Sequence, residues 1–490
     1  KIRQFGVQEA NIIEIVKSLT KYAVMINKPE EIAYHLDKAF YLANTGRKGP
    51  VWIDIPMDIQ GAPIDQKTLQ RFVPPPPDTK IISFDNLENI FSNSKRPIIL
   101  AGHGIKLADA AKELLSFAEH YNIPVVNTFL GTDLIDYDHH LSIGSVGVKG
   151  TRAANFAMQN ADLLLSIGTR LSVPVTGYKY DLFAREATIV VVDIDPEEHK
   201  KNTVDIDILI ECDAKDFLLN YTPPFKFDKT WADTCARWKK QWPVCLEEYK
   251  DDTDGISLYY LMRGLTRVLE ENTIVVSDAG SAYYVTAQAV GFKGNQKHVT
   301  SGAQAEMGFT LPAAIGASFA DCDAKVVGIT GDGSFQTNIQ ELQTIVHYNL
   351  PIKILVLNND GYLSIRTTQK KYFNSRFIGT DKNHGVSFPD IKKISHAYGI
   401  KYINISESKE LERKLLEALE YDGPVICEVF CKKWDVICPT LSAKKTKDGR
   451  MISKPLEDMY PFLSREEFTQ EMIIKPINEN NVKGDKNGSK

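Results

Sequence analysis

The chain has 490 residues, of which 43% are hydrophobic and 25% charged, as in an ordinary globular protein. Its formal net charge of −5 disfavours a general nucleic-acid binder, which usually carries a basic excess. No run approaches the roughly 20 apolar residues of a membrane-spanning helix. At roughly 150 residues per domain, the length predicts about three domains. The seven cysteines form no CxxC pair, which favours buried free thiols and a reducing, cytoplasmic location.

The first segment, residues 1–70, holds a predicted helix, EEIAYHLDKAFYLANTG (30–46), and a predicted buried strand, PVWIDIP (50–56). One helix and one strand are too few for a closed α/β domain. Four consecutive prolines, Pro74 to Pro77, predict a stiff linker over residues 71–84, with a proline-rich recognition motif as the alternative.

The second segment, residues 85–222, alternates strand and helix patterns. RPIILAGHGI predicts a strand that runs into a glycine turn, Gly102 to Gly104, and KLADAAKELLSFAEHY predicts the helix that follows. Further strands are predicted in IPVVNTF, ADLLLSIGTRL and TIVVVDIDP. This order predicts a doubly wound, nucleotide-binding-like domain. The GxGxxG fingerprint is absent, which disfavours a nicotinamide dehydrogenase.

Residues 223–255 are predicted to connect the second and third segments and to contain some helix. Residues 256–440 are predicted to form a third α/β domain. Its strand patterns are NTIVVSDAGS, KVVGITGDGS, PIKILVLNND and GPVICEVF, and three of them end in small or polar residues suited to an active edge. Residues 441–490 are interpreted as a C-terminal tail, whose last residues, NVKGDKNGSK, are predicted to be disordered.

The GDGS sequence at 331–334 lies between a predicted strand and a predicted helix, SFQTNIQELQTIVHY. Gly331 and Gly333 allow a sharp turn and a close approach of the backbone to a ligand. Amide groups at a helix start favour a phosphate. Asp332 beside a phosphate is repulsive unless a cation lies between them, and Mg²⁺ commonly bridges carboxylates to a diphosphate.

The strand PIKILVL follows the helix and ends at Asn358 and Asn359. Because parallel neighbouring strands deliver their carboxyl ends to the same edge of a sheet, these asparagines should lie beside Asp332. One amide oxygen could then complete the metal shell. The spacing predicts a shared diphosphate–Mg²⁺ site, and the alternative is a surface turn followed by an asparagine-rich strand end.

This order of strand, GDGS, helix, strand and NN is similar to the thiamine-diphosphate motif. The whole chain resembles the acetolactate synthase-like group of thiamine-diphosphate-dependent enzymes. Other matching segments are QEANI (8–12), GRKGPVWIDIPMDIQ (46–60), SDAGS (277–281) and SGAQAEMGFTLPAAIGA (301–317). The resemblance implies three doubly wound parallel-sheet domains: a pyrimidine-binding domain, a central domain and a diphosphate-binding domain. The first is expected to be incomplete at its N-terminus.

The resemblance also implies roles for individual residues. The expected Mg²⁺ ligands are Asp332, Asn359 and the carbonyl of Gly361. The expected cofactor contacts are Gly280, Ser281, Gly331, Gly333, Ser334 and the apolar side chain of Met307, which would bend the cofactor. Gln8 and Lys21 match positions near the substrate channel. The activating glutamate of this family lies upstream of QEANI, so we expect this chain to be part of a longer enzyme. Since the family builds its site between subunits, a homodimer or homotetramer is expected.

The implied reaction is decarboxylation of a 2-oxo acid such as pyruvate, with addition of the two-carbon unit to a second carbonyl. Acetolactate synthases usually carry a tryptophan where this chain has Thr368. Acetyl transfer to a nucleotide-linked ketosugar in surface polysaccharide synthesis is therefore an alternative. A non-catalytic cofactor-binding homologue is another. FAD is a possible second cofactor, because AANFA (153–157) and VVDIDPEE (191–198) resemble flavin-binding segments, although GTRLSVPVTG (168–177) lacks the second arginine and the aspartates.

Overall fold

The computed structural model describes residues 4, 6–76, 83–84, 86–445 and 451–477. These residues form two compact units: one from the chain up to residue 83 together with Ile194–Lys200, the other from the rest. Most of the predicted linker beyond residue 76 and the predicted disordered end lie outside the described residues.

The first unit contains two parallel strands and three helices. In chain order they are α1 (Ile12–Val16), β1 (Tyr22–Met25), α2 (Ile32–Asn44), β2 (Val51–Asp54) and α3 (Met57–Gly61). Strand β1 pairs in parallel with β2, with Tyr22 opposite Val51. The predicted helix and strand are confirmed as α2 and β2. The prediction missed β1, α1 and α3, because four or five residues are too few to show a period.

The second unit begins with a six-stranded parallel sheet, which we call the central sheet. Its strands are β3 (Pro97–Ala101), β4 (Val125–Asn127), β5 (Ser142–Ser145), β6 (Leu163–Ile167), β7 (Thr188–Asp193) and β8 (Ile208–Glu211). Their order is β5-β4-β3-β6-β7-β8. Strands β3 and β6 are buried along their whole length, as expected where helices cover both faces of a parallel sheet.

Seven helices accompany the central sheet: α4 (Leu87–Asn93), α5 (His103–Leu107), α6 (Ala111–Tyr121), α7 (Arg152–Gln159), α8 (Val173–Thr176), α9 (Ala214–Asn220) and α10 (Thr230–Gln241). The helix predicted from KLADAAKELLSFAEHY is confirmed over α6, but it does not extend without a break to the start of the predicted segment. The chain breaks between α5 and α6, where Asp109 adopts a positive φ of 51° that an α-helix cannot contain.

A second six-stranded parallel sheet, the C-terminal sheet, follows. Its strands are β9 (Thr273–Ser277), β10 (Lys297–Thr300), β11 (Lys325–Gly331), β12 (Lys353–Asn358), β13 (Lys401–Ile405) and β14 (Val425–Phe430), in the order β10-β9-β11-β12-β14-β13. Its helices are α11 (Leu258–Val268), α12 (Gly280–Ala289), α13 (Thr310–Ala320), α14 (Asp332–Phe335), α15 (Leu342–His347), α16 (Leu363–Tyr372), α17 (Ile391–Ala397) and α18 (Leu411–Glu420). The predicted doubly wound α/β class is confirmed by these two sheets.

The helix predicted between GDGS and the next strand is not continuous. A 3₁₀ segment, Gln336–Glu341, separates α14 from α15, and Asn338 inside it has φ −131° and ψ 36°. The side-chain amide of Asn338 donates to the backbone carbonyl of Gly308 at 3.0 Å. This tertiary hydrogen bond competes with helical geometry, which the local sequence pattern does not reveal.

The segment interpreted as a C-terminal tail is folded in part. Strands β15 (Ala443–Lys445) and β16 (Met451–Ser453) pair antiparallel, and α19 (Arg465–Glu471) follows. Phe468 of α19 is buried against Phe156 beside the central sheet. The carboxylate of Glu471 accepts from the indole of Trp238 at 2.6 Å. Burial of an apolar face therefore packs α19 against the central sheet.

Among the described helices, none combines the length and apolarity needed to cross a bilayer. All seven cysteines lie in described parts of the chain and are free thiols, and Cys427 and Cys431 are buried as predicted. Within the described part of the chain, no group of three or more His, Cys, Asp or Glu side chains is arranged to hold a metal. The cytoplasmic location stays a prediction.

Candidate active site

Three adjacent strands of the C-terminal sheet end side by side. Strand β9 pairs with β11 so that Ser277 lies opposite Ile329, and β11 pairs with β12 so that Gly331 lies opposite Leu357. The next polar residues, Asp278, Asp332 and Asn359, therefore follow the carboxyl ends of neighbouring parallel strands, where open α/β sheets bind their ligands. Their side chains are buried, although acids and amides are usually exposed.

The carboxylate of Asp332 is held by backbone amide groups. Its Oδ1 accepts from the N–H of Gly333 at 2.8 Å, and its Oδ2 accepts from the N–H of Gly361 at 2.9 Å. Burial raises the pKa of Asp332 to about 6, although these N–H groups favour its charged form. A cavity of about 130 Å³ lies beside it, lined also by Asp360 and Asp381. A desolvated carboxylate facing such a cavity is suited to a small hard cation.

The two asparagines at the end of β12 have different environments. Asn358 donates to the carboxylate of Glu428 on β14 at 2.6 Å, and Tyr402 on β13 donates to the same carboxylate at 2.5 Å. Asn359 is the more deeply buried of the two, and its Oδ1 has no hydrogen-bond partner among the described residues. A buried oxygen without a donor is costly, so it indicates a ligand. An amide oxygen, a carboxylate and backbone groups fit the oxygen-rich shell of Mg²⁺.

Asp278 is an acidic residue of the site that the sequence analysis did not assign. Its Oδ2 accepts from the hydroxyls of Thr330 at 2.8 Å and Ser334 at 2.6 Å, and its Oδ1 accepts from the N–H of Ala279 at 2.6 Å. Burial raises its pKa. The SDAGS segment carried the signal, since it places an acid directly after a buried strand. Asp278 links the ends of β9 and β11.

This network changes what the side chain of Ser334 can do. Its hydroxyl donates to Asp278 and accepts from the N–H of Gly308 at 2.8 Å. The hydroxyl proton is therefore committed to a protein carboxylate, and the predicted contact of Ser334 with a diphosphate stays a prediction.

The glycines at the strand ends serve different purposes. Gly280 has φ +61°, a conformation that favours glycine, and only Ser364 Oγ would lie within 4 Å of an added Cβ. Gly331 has an ordinary φ of −78° and open space around it. At Gly333 an added Cβ would lie 2.2 Å from the ring of Tyr362. Gly280 and Gly331 therefore leave room for a ligand, whereas Gly333 makes room for a protein side chain.

The remaining predicted site residues, Met307, Ser281, Gln8 and Lys21, have different environments. Met307 is 40% exposed and lies in the loop between β10 and α13, next to Gly308. Ser281 is buried in the first turn of α12. Gln8 and Lys21 belong to the first unit, where Lys21 donates to the carbonyls of Thr45 and Arg47 at 2.5 and 2.9 Å. The channel roles of Gln8 and Lys21 stay predictions.

The crevice beside the glycine turn of the central sheet does not fit FAD. The crevice at the strand ends of the central sheet, lined by Gly168, Leu171 and Tyr283, encloses about 100 Å³, well below the roughly 300–1,000 Å³ of ligand pockets. The amides of Gly102 and Gly104 donate to backbone carbonyls at 2.9 Å, so they have no hydrogen left for a phosphate.

In the VVDIDPEE segment, Asp195 and Glu198 accept from Arg47 at 3.1 and 2.9 Å. Two of the acids in this segment are thus engaged with a protein cation, in the first unit, and are not left open to a nucleotide.

Comparisons with known proteins agree with this geometry. Residues 84–220 match the model of the thiamine pyrophosphate enzyme central domain, and residues 278–429 match the thiamine pyrophosphate enzyme C-terminal TPP binding domain. Thiamine pyrophosphate is thiamine diphosphate under its older name. The second match contains the three strand ends described above.

Curated relatives extend over most of the chain. A probable acetolactate synthase large subunit of Methanocaldococcus jannaschii is 35% identical over 445 residues, which cover 86% of this chain and 73% of the relative. Acetolactate synthase 1, chloroplastic, of Zea mays is 31% identical over 453 residues, covering 89% and 70%. The chloroplastic acetolactate synthase of Arabidopsis thaliana is 31% identical over 460 residues, covering 90% and 67%. The chain belongs to the acetolactate synthase family and is a thiamine-diphosphate-dependent enzyme of that type.

Proposed function

We propose that the strand ends of the C-terminal sheet hold the diphosphate of the cofactor through Mg²⁺, and that the enzyme decarboxylates a 2-oxo acid and adds the two-carbon unit to a second carbonyl. The observation that carries this proposal is the buried, unpartnered Oδ1 of Asn359 beside the desolvated carboxylate of Asp332. Both groups present oxygen atoms that can act as ligands of a cation.

Asp332, Asn359 and the carbonyl of Gly361 would hold the metal. Gly280 and Gly331 would let the diphosphate approach the backbone closely, because neither position has a neighbour that fills the space. The cofactor, when bound, supplies a nucleophilic carbon and an electron sink for the departure of CO₂. Met307, partly exposed next to the Gly308–Ser334 contact, offers an apolar surface at this edge.

The organic substrates are small carbonyl compounds. The relatives are named as acetolactate synthases, so we propose pyruvate as donor and a second pyruvate as acceptor. A larger acceptor, such as a nucleotide-linked ketosugar, is a second candidate. Thr368 on α16 is exposed, and its hydroxyl donates to the carbonyl of Ser364 at 3.0 Å. Its side chain is smaller than the tryptophan that the resemblance implies at this position, which favours the larger acceptor.

A thermal-shift series on the full-length protein tests the cofactor. Thiamine diphosphate with Mg²⁺ should raise the melting temperature, because a ligand that binds only the folded state stabilises it. The same concentration of thiamine diphosphate with EDTA should give little shift, and FAD should give none. A flavin-dependent shift would contradict the proposed absence of FAD.

Product analysis by mass separates the two acceptors. Incubation with pyruvate alone should give a five-carbon acetohydroxy acid, whereas consumption of pyruvate only in the presence of a ketosugar would favour the second candidate. Release of acetaldehyde without any condensation product would contradict the transfer step.

We also propose a homodimer or homotetramer. Large apolar side chains of the first unit are exposed, among them Phe40 at 77% and Met57 at 87%. Exposed apolar surface of this kind is common where subunits meet. Light scattering of the purified protein measures the mass, and a monomer at working concentration would contradict this proposal.

A further inference from the structure

Arg366 is a fully buried cationic side chain near the candidate site. It lies in α16, seven residues after Asn359, and none of its surface is exposed. Nη1 donates to the carbonyl of Asp360 at 2.7 Å, and Nη2 donates to the carbonyls of Asn359 at 2.9 Å and Lys433 at 2.7 Å. One guanidinium thus joins the turn after β12 to the segment after β14.

The turn that Arg366 holds has an unusual backbone. Asp360 has φ +59° and Gly361 has φ +129°, so two successive residues lie in the left-handed half of conformational space. An added Cβ on Gly361 would lie 2.1 Å from the carbonyl oxygen of Thr380. A turn of this kind persists only when surrounding contacts determine it. Its other contacts include the hydrogen bond from the N–H of Gly361 to Asp332, the hydrogen bond from the N–H of Asp360 to Oδ1 of Asn358 at 3.1 Å, and the ion pair of Asp360 with Lys433 at 2.6 Å.

Charge compensation of the guanidinium is incomplete. Its nearest carboxylate contact is Asp381 at 3.9 Å, and the ring of Trp434 lies 5.3 Å from the guanidinium carbon. Nε has no partner among the described residues. Burying a charge with mainly carbonyl partners is expensive. The fork geometry of arginine lets one side chain bind neighbouring carbonyls at once, which a lysine cannot reproduce.

We propose that Arg366 is a positioning residue for the metal site, resting on the proposed Mg²⁺–thiamine diphosphate function. Its fork holds the carbonyls of Asn359 and Asp360, and this sets the direction of the Asn359 amide and of the Gly361 backbone towards Asp332. Without the fork the turn relaxes, and Asn359 no longer presents its Oδ1 beside the carboxylate. Replacing Arg366 should therefore weaken metal-dependent cofactor binding more than it lowers the stability of the fold.

The test uses Arg366→Lys in the full-length protein, with Arg152→Lys as the matched control. Arg152 is also a buried helical arginine whose guanidinium donates to two backbone carbonyls, those of Met459 and Pro461, but it lies beside the central sheet. The readout is the Mg²⁺ concentration that gives half-maximal binding of thiamine diphosphate, measured by calorimetry at a fixed cofactor concentration. The melting temperature without ligands is measured in parallel.

We expect Arg366→Lys to raise the half-saturating Mg²⁺ concentration by about 10-fold or more, as for other residues that orient metal ligands. Arg152→Lys should leave it unchanged even if it lowers the melting temperature. In Arg366→Ala, millimolar guanidinium should restore part of the Mg²⁺ response, since it can occupy the vacated position, whereas an alkylammonium ion should not.

The outcomes separate the two proposals. If the wild-type protein does not bind thiamine diphosphate with Mg²⁺, the proposed function is overturned. If it does bind, an unchanged Mg²⁺ requirement in Arg366→Lys overturns the positioning role. Equal increases in Arg366→Lys and Arg152→Lys would also overturn it, because they would reflect loss of stability alone. Should Arg366→Ala fail to fold, the two lysine variants decide.

Discussion

The central sheet and the C-terminal sheet have the same architecture and different strand ends. Both contain six parallel strands covered by helices, and in both a glycine turn follows a buried strand. In the central sheet the turn amides of Gly102 and Gly104 donate to the carbonyls of Ile167 and Gly168. In the C-terminal sheet the corresponding edge carries buried acids and an amide oxygen that accepts no hydrogen bond from the described part of the chain.

The difference shows where the capacity to bind a ligand lies. The backbone amides of the central turn already donate to carbonyls of a neighbouring strand, so they cannot donate to a ligand. The central turn therefore serves packing. Polar groups that are desolvated and not fully paired retain a strong requirement for a partner. The same fold thus supports one structural edge and one binding edge, and the residues after each strand decide which is which.

The largest expected effect concerns Asp332. Asp332→Ala should weaken Mg²⁺-dependent thiamine diphosphate binding by at least about 100-fold, since loss of a direct ligand should exceed the loss of an outer-shell partner. Calorimetric titration measures the affinity. Asp323→Ala is the control, because Asp323 is an exposed acid before the same strand, β11. Unchanged affinity in Asp332→Ala would show that the two edges do not differ in metal binding.

The second prediction concerns His298, which connects the two regions. Its ring nitrogens lie 3.0 Å from the hydroxyls of Thr132 and Ser277, and Asp133 and Lys106 are the charged groups that face it. Burial lowers the pKa of His298 to about 4, below its ordinary value of 6.5. Between these values the unfolded chain binds the proton more readily, so stability should fall as the pH falls from 6.5 to 4.

Below pH 4 the loss should reach about 3 kcal/mol, from roughly 1.4 kcal/mol for each pH unit of the shift. Urea unfolding of wild type and His298→Gln across this range measures it. The wild-type curve should fall more steeply than that of the variant. Parallel curves would contradict the neutral, buried state of His298.

The third prediction compares glycines at equivalent strand ends. In Gly102→Ala the new Cβ would lie 2.2 Å from the carbonyl oxygen of Gly168, so the free energy of unfolding should drop by about 1–3 kcal/mol. In Gly331→Ala no described residue other than the two chain neighbours would lie within 4 Å of the new Cβ, so stability should change by less than about 0.5 kcal/mol, while cofactor affinity should fall. Urea unfolding and calorimetry measure the two effects. Equal loss of stability would remove the distinction between a packed and an open turn.

The smallest effect separates the two asparagines. Asn358→Ala should lower the free energy of unfolding by about 1 kcal/mol, because it removes the hydrogen bond to the buried carboxylate of Glu428. Asn359→Ala should leave apo stability almost unchanged, since its Oδ1 has no donor to lose, yet it should raise the Mg²⁺ requirement. Chemical unfolding with and without Mg²⁺ and cofactor distinguishes them. A larger loss of apo stability in Asn359→Ala would reverse the assignment.

Much of the architecture was predictable from local patterns. Apolar runs such as PIKILVL identify strands because strands buried on both faces need continuous apolar residues. The missed elements have physical causes: β1 is too short to show a period, and the break at Asn338 depends on a hydrogen bond to Gly308, 30 residues away. The folded part of the C-terminal segment depends on contacts of Phe468 with Phe156.

The sequence by itself determined the family, the cofactor class and the two strand ends that carry Asp332 and Asn359, because short motifs at fixed spacing encode a strand, a turn and the next parallel strand. Only the tertiary structure distinguished Asn358 from Asn359, committed the hydroxyl of Ser334 to Asp278, and brought Arg366 onto the turn. These outcomes depend on which hydrogen-bond donors meet which acceptors across neighbouring strands. Local sequence patterns do not reveal those pairings.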